Sequence, residues 1–252
     1  MRGRLLPNGW PDLLRQISLF GGAYLVYRII EGAVAGQAAV ASHHANQLIS
    51  LERALHVFVE PAMQSWASHS HLLLVVATYV YLNAQTTMLV CVLLYLYIAH
   101  NRSYYFVRNM LMVAMVIALL CYALYPTDPP RLLPEWGFID TSQYITSIKS
   151  SGAVANEFVN QYAAIPSMHV AFAVMLAWPL VRLVRRRPVR VFWALWPLLI
   201  SFVTIITGNH FLLDALLGLA TAGVAAAVAS RLAVIRPHAW ALEPSRSSVG
   251  AA

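Results

Sequence analysis

Charged side chains are scarce in this sequence of 252 residues. Asp, Glu, Lys and Arg together make up 11% of the chain, whereas hydrophobic residues make up 60%. A soluble protein of ordinary composition carries about 25% charged residues. This deficit excludes an ordinary soluble protein and indicates an integral membrane protein whose length suits one bundle of spans.

Cysteine is also nearly absent, with two residues in the chain. Cys91 and Cys121 lie inside apolar stretches and have no motif spacing, so we expect buried free thiols and no disulfide. No internal repeat or low-complexity tract is evident. The sequence therefore lacks the features of a disulfide scaffold or a repeat protein, and we predict no metal and no cofactor.

Long apolar stretches are what the sequence does contain. The predicted fold class is all-α, a polytopic membrane protein with six transmembrane helices and an interfacial amphipathic helix. The six spans cover approximately residues 17–40, 72–98, 104–124, 166–184, 190–208 and 210–232. Within the first span, Arg28 and Glu31 are three residues apart, which predicts an ion pair facing the bundle.

These spans divide the chain into three parts. Residues 1–16 form a cytoplasmic N-terminal segment, residues 17–232 the six-span catalytic domain, and residues 233–252 a cytoplasmic tail predicted to be disordered.

An amphipathic pattern lies between the first two spans. Apolar side chains recur at a helical period over residues 42–68, and Glu52 and Glu60 lie on the opposite side of this pattern. We therefore expect one helix in the outer membrane interface, kinked near Pro61, with both carboxylates solvated. We expect the same of Asp128, which follows the third span.

The basic residues are placed unevenly along the chain. Thirteen of the 17 Lys and Arg residues lie in, or within five residues of, four segments: before span 1, between spans 2 and 3, between spans 4 and 5, and after span 6. The positive-inside rule then puts both termini in the cytoplasm of a plasma-membrane protein. Because topology accounts for these charges, we predict no nucleic-acid partner.

This topology brings three polar segments to the extracellular face. The first site segment is YPTDPPR (125–131), the second is PSMH (166–169) and the third is GNHFLLD (208–214). In the third, His210 and Asp214 share one helix face. The carboxylate can accept a proton from one imidazole nitrogen and leave the other free as a base or nucleophile.

The other two segments offer complementary groups. The amides at a helix start and the Ser167 hydroxyl make an anion site, and His169 in the first turn can protonate a leaving oxygen. Arg131 follows two prolines and can clamp phosphate oxygens. Each feature alone fits a structural histidine or a simple turn. Together they suit metal-free phosphoryl transfer through a phosphohistidine.

These motifs resemble the type-2 phosphatidic-acid phosphatase superfamily, a six-helix membrane fold. Its second motif, Pro-Ser-Gly-His, is similar to residues 166–169, and its third motif ends in His-x3-Asp, as at His210 and Asp214. The resemblance covers about residues 45–232. It implies His210 as nucleophile, Asp214 as its orienting partner and His169 as general acid.

The match departs from the phosphatase branch at two places. Val203 and Thr204 stand where the third motif has Ser-Arg, and Pro-Pro-Arg replaces the Lys-x6-Arg-Pro of the first motif. The chain is more similar to the inositol-phosphorylceramide synthase (aureobasidin-resistance) branch, including LERALHVFVEPAMQ upstream. Arg131, Ser167, Asn209 and Lys149 are then the predicted phosphate contacts.

The sequence therefore predicts an integral membrane phosphotransferase acting on a phospholipid or polyprenyl phosphate. The acceptor is a lipid or sugar hydroxyl, and a phosphoinositol-type head group is one candidate for transfer. Two alternatives remain open: a lipid phosphatase, with water as acceptor, and a non-enzymatic lipid-binding or transport protein. The head group, the acyl chain and the oligomeric state are not determined by these residues.

Overall fold

The computed structural model describes residues 6–33, 38–141 and 162–235. Within these ranges the chain is helical and forms no strand, so the all-α prediction is confirmed. The α-helices are α1 (Gly9–Ala33), α2 (Ala38–Ala54), α3 (Glu60–Ser68), α4 (His71–Ala99), α5 (Asn101–Leu124), α6 (Met168–Leu183), α7 (Arg187–Ile206) and α8 (Leu212–Ile235). Two short 3-10 helices, Pro130–Leu132 and Pro134–Trp136, follow α5.

Four of these helices are long and apolar enough to cross a membrane, namely α4, α5, α7 and α8. The prediction of six spans is therefore confirmed in part. Helix α6 is apolar but has 16 residues, which corresponds to about 24 Å of the roughly 30 Å hydrocarbon core. Helix α1 has 25 residues but carries four charged side chains.

Helix α6 is the centre of the bundle and packs against α4, α5, α7 and α8. Its Phe172, Met175 and Leu176 are almost completely buried. Large apolar side chains on the outer helices are exposed instead, for example Leu72 and Leu198. Because a lipid bilayer is as apolar as a protein core, such an outer surface suits a protein surrounded by lipid.

Local sequence features explain where α6 begins and where α5 ends, next to the second and first site segments. Ser167 is the N-cap of α6, and its hydroxyl accepts a hydrogen bond from Val170 N at 3.4 Å. Helix α5 ends at Leu124, two residues before Pro126, which disfavours a helical conformation at Tyr125. These two site segments therefore lie at helix ends that the local sequence specifies.

The predicted amphipathic helix over residues 42–68 is instead two helices, α2 and α3, separated by residues 55–59. Chain reversal begins at His56, whose φ is +58°, and Pro61 lies in the first turn of α3. The expectation of solvated carboxylates is wrong for all three residues, because Glu52 and Glu60 are 0% exposed and Asp128 is 6% exposed. The apolar Leu55 and Trp66 are exposed instead.

Two smaller predictions have different outcomes. Arg28 and Glu31 form the predicted ion pair, with 2.8 Å between Nη1 and Oε2, and Glu31 is buried. Both cysteines are free thiols, but Cys91 is exposed on α4 and Cys121 is half-buried. The predicted burial of the two cysteines was wrong, because the sequence of a uniformly apolar helix does not reveal which face meets lipid.

Candidate active site

The three site segments meet at one end of the bundle, as the sequence predicts. Ser167 N donates to the carbonyl of Asp214 at 3.1 Å, which joins the second segment to the third. Arg131 N donates to the carbonyl of Gly208 at 2.7 Å, which joins the first segment to the third. Ala164 N donates to the carbonyl of Thr127 at 3.4 Å, close to the second segment. Backbone hydrogen bonds alone therefore hold the three segments together.

His210 and Asp214 form the pair expected from their spacing. His210 Nδ1 lies 3.4 Å from Asp214 Oδ2, and the two side chains are 5% and 0% exposed. The same Oδ2 accepts Phe211 N at 2.8 Å, so the carboxylate also caps the start of α8. This separation is within ion-pair range but longer than a normal hydrogen bond.

His169 faces His210 across the site. The two ring centroids are 5.7 Å apart, close enough for both imidazoles to act on one substrate group. The other side of His169 stacks on Tyr81 of α4, with 4.3 Å between centroids. His169 is only half-buried, whereas His210 is 4% exposed. The ring that stacks on Tyr81 is thus the more accessible of the two.

Arg131 reaches the third segment through Asn209. Its Nη1 donates to Asn209 Oδ1, and Asn209 Nδ2 donates to Thr207 Oγ1 at 2.8 Å. Asn209 therefore orients the guanidinium beside His210. Lys149, the remaining predicted phosphate contact, lies outside the described residues.

Ser167 has a structural role that the sequence analysis did not include. It is 0% exposed, and its hydroxyl accepts the Val170 amide at the start of α6. The preceding Pro166 carbonyl accepts the Tyr122 hydroxyl at 3.2 Å, which ties the second segment to α5. The Ser167 side chain thus shapes the turn that presents His169.

Two glycines allow the segments to approach so closely. Gly208 has φ of +68°, and a β-carbon there would lie 2.7 Å from Gln64 Nε2. A β-carbon at Gly218 would lie 2.4 Å from the Ser167 carbonyl oxygen. Real β-carbons do not make contacts this short. Helix α8 therefore packs directly against the backbone of the second segment.

Sequence reasoning missed two carboxyl groups, those of Glu60 and Glu52, that bind the backbone just after His210. Glu60 Oε1 accepts Leu212 N at 2.7 Å, and Glu52 Oε1 accepts Leu213 N at 2.9 Å. Burial raises the pKa of Glu52 to about 8 and also raises that of Glu60. Burial likewise raises the pKa of Asp128 to about 6. The sequence feature that could have pointed to these residues is the rarity of acidic side chains, of which the chain has ten.

A cleft between α4, α6 and α7 opens beside His169. Its walls are mainly apolar and include Phe172, Trp196 and Val203. Gln85, whose Oε1 has no hydrogen-bond partner among the described residues, also lines it. The cleft therefore brings apolar side chains next to His169.

These features define an all-helical membrane protein with two facing histidines, a carboxylate and an arginine at one end of its bundle. The family model of the PAP2 superfamily matches residues 46–228, well over half of the chain. The chain belongs to the PAP2 superfamily. This membership supports lipid phosphate chemistry of the phosphatase or phosphotransferase type. Neither a curated protein nor a solved structure matches the chain.

Proposed function

We propose that this protein is a lipid phosphotransferase that works through a phosphohistidine on His210. The observation that carries the proposal is the placement of His169 and the His210–Asp214 pair on one site, 5.7 Å apart by ring centroids. Membership of the PAP2 superfamily supports the same chemistry. The substrate class is a phospholipid or a polyprenyl phosphate.

The proposed reaction has two steps. A ring nitrogen of His210 forms a bond to phosphorus while the bond from phosphorus to the leaving alcohol breaks. His169 donates its proton to that alcohol oxygen, and Asp214 stabilises the imidazole ring as it becomes cationic. In the second step an acceptor hydroxyl attacks phosphorus, the nitrogen–phosphorus bond breaks, and the acceptor proton passes to His169.

Arg131 supplies positive charge to the transferring group. Its guanidinium lies beside His210 through the hydrogen bond to Asn209, where it can neutralise charge on the phosphoryl oxygens. In our proposal Asn209 orients this side chain, and the amides at the start of α6 add further donors. The position of the phosphatase-branch arginine is taken by Thr204, which is buried.

The departures at Val203 and Thr204 support transfer over hydrolysis. Both residues line the cleft beside His169. This part of the site is therefore more apolar than it would be with an arginine at position 204. Such surroundings favour a lipid or sugar hydroxyl as acceptor over bulk water. A phosphoinositol-type group remains one candidate for the group transferred.

Product analysis separates these reactions. Purified protein is incubated with mixed phospholipids and polyprenyl phosphates, with and without inositol or diacylglycerol as hydroxyl acceptor, and the lipids are analysed by mass spectrometry. We expect a new head-group-bearing lipid that requires the acceptor. Release of phosphate or a phosphoalcohol into water, with the lipid alcohol as the remaining product and no new head-group-bearing lipid, would assign a phosphatase. Binding of lipid without turnover would contradict catalysis and favour a transport or binding role.

The proposed orientation gives a second prediction. Because the basic residues lie mainly at the end of the bundle opposite the site, we expect both termini in the cytoplasm and the site at the extracellular face of the plasma membrane. A tag at either terminus should resist protease added outside intact cells and be cleaved after permeabilisation. Cleavage of either tag in intact cells would contradict this orientation.

A further inference from the structure

The start of α8 carries more acidic capping than a helix start requires. Three successive amides, those of Phe211, Leu212 and Leu213, each donate to a different carboxyl group. One of these carboxyls, Asp214, is local, and the other two come from Glu52 and Glu60, more than 150 residues earlier in the chain. A single Ser, Thr, Asn or Asp side chain is the usual cap.

Burial makes this arrangement costly. Glu52, Glu60 and Asp214 are each 0% exposed, and a buried carboxylate loses its hydration. Each glutamate accepts an amide of α8 in return, a role that an uncharged acceptor side chain also fills. Stability alone therefore does not explain two glutamates at these places.

The capped amides lie immediately after His210. On the other side of this residue, the amides of Asn209 and His210 both donate to the carbonyl of Thr204, at 3.0 and 3.2 Å. The imidazole is thus carried on a short turn that is held by α7 before it and by the two glutamates after it. Movement of the glutamates would move the histidine.

Charge in this region also acts on Asp214, the partner of His210. The pKa of Glu52 is raised to about 8, chiefly by burial and also by the charges of Glu60 and Asp214. At neutral pH we therefore expect Glu52 to be mainly protonated, so that any charge on the pair lies on Glu60. Asp214 interacts with both glutamates from the start of α8, and Arg131 and His169 are further ionisable groups close to His210.

We propose that Glu52 and Glu60 are positioning residues of the active site, which hold the His210 turn and place negative charge behind the His210–Asp214 pair. The charge stabilises the cationic ring that forms when His210 bonds to phosphorus. This inference rests on the proposed phosphohistidine chemistry for its electrostatic part. Its structural part, the capping of α8, is independent of that chemistry.

Glutamine substitutions separate capping from charge. Glutamine keeps an oxygen acceptor for the amide but carries no charge. Glu52→Gln copies the protonated state, so we expect kcat within about threefold of wild type. In the double variant Glu52→Gln, Glu60→Gln, the negative charge is gone. We expect kcat to fall about tenfold with KM within about twofold, because the ring is less stabilised as it becomes cationic.

The pH dependence of kcat/KM separates the charge role from a purely structural role, because a purely structural role would leave it unchanged. A nearby negative charge raises the pKa of a histidine, so its removal lowers that pKa. The acid limb of kcat/KM, measured on the lipid turned over in the product assay, should therefore shift at least about half a pH unit lower. Glu135→Gln, at an exposed external glutamate, is the matched control and should not shift it. An unshifted limb in the double glutamine variant would overturn the charge role.

Hydrogen–deuterium exchange tests the capping without any activity. The variant Glu52→Ala, Glu60→Ala should exchange faster in a peptide covering residues 208–216, whereas Glu135→Ala should not. Unchanged exchange in that peptide would overturn the positioning role. Wild-type protein that turns over no lipid would refute the proposed function, while the exchange result would still decide the capping.

Discussion

Replacement of His210 by asparagine is expected to remove phosphoryl transfer almost completely. Asparagine is similar in size to the inner part of the imidazole ring but has no nucleophilic nitrogen. Loss of a group that bonds to phosphorus should cost at least about 3 kcal/mol of transition-state stabilisation, more than about 100-fold in kcat/KM. The measurement is turnover of the lipid that the wild-type protein uses.

Two further observations make this prediction specific. Wild-type protein, quenched in alkali during turnover, should carry phosphate on a peptide containing residue 210, because phosphohistidine survives alkali but not acid. The control is His56→Asn, since His56 is exposed and has φ of +58°, a conformation that asparagine adopts readily. Full activity in His210→Asn protein would rule out His210 as the nucleophile.

Gly218→Ala is expected to have the second largest effect. A β-carbon at this position would lie 2.4 Å from the Ser167 carbonyl oxygen and 3.3 Å from Val170 Cβ. The first contact is with backbone, so α8 must shift away from the start of α6. Overpacking of this kind costs about 1–3 kcal/mol of stability. The shift also lengthens the hydrogen bond from Ser167 N to the Asp214 carbonyl.

The effect on activity should exceed the effect on stability. Displacement of the His210 segment by about 1 Å from the His169 segment can cost about 100-fold in rate. We expect kcat to fall by that order while the protein still folds, as judged by thermal unfolding in detergent. Gly223→Ala on the same helix is the matched control, because a β-carbon there meets nothing within 4 Å. Equal kcat in the two variants would show that the close packing at Gly218 does not hold the site.

Local spacing carried much of the site prediction. The four-residue separation of His210 and Asp214 places both on one face of any helix, and the structure has them 3.4 Å apart. The position of Pro166 and Ser167 ahead of an apolar run predicts a helix start, and α6 begins at Met168. These features follow from chain geometry and do not depend on distant residues.

The orientation of the external helices did not follow from the sequence. Glu52 and Glu60 look like the solvent side of an amphipathic helix, yet both point into the protein and bind amides of α8. In a membrane protein the apolar face of such a helix can meet lipid, so Leu55 and Trp66 are exposed. Periodicity finds the two faces of a helix but not which one is inside.

The sequence by itself determined the membrane class, the all-helical fold and the three segments that form the site. Composition, helix period and residue spacing are local properties, and they act whatever the rest of the chain does. The tertiary structure alone decided that Gly218 touches the backbone of Ser167, that Tyr81 stacks on His169 and that two glutamates cap α8. Each of these contacts joins residues far apart in the chain, and only the packing of the helices brings them together.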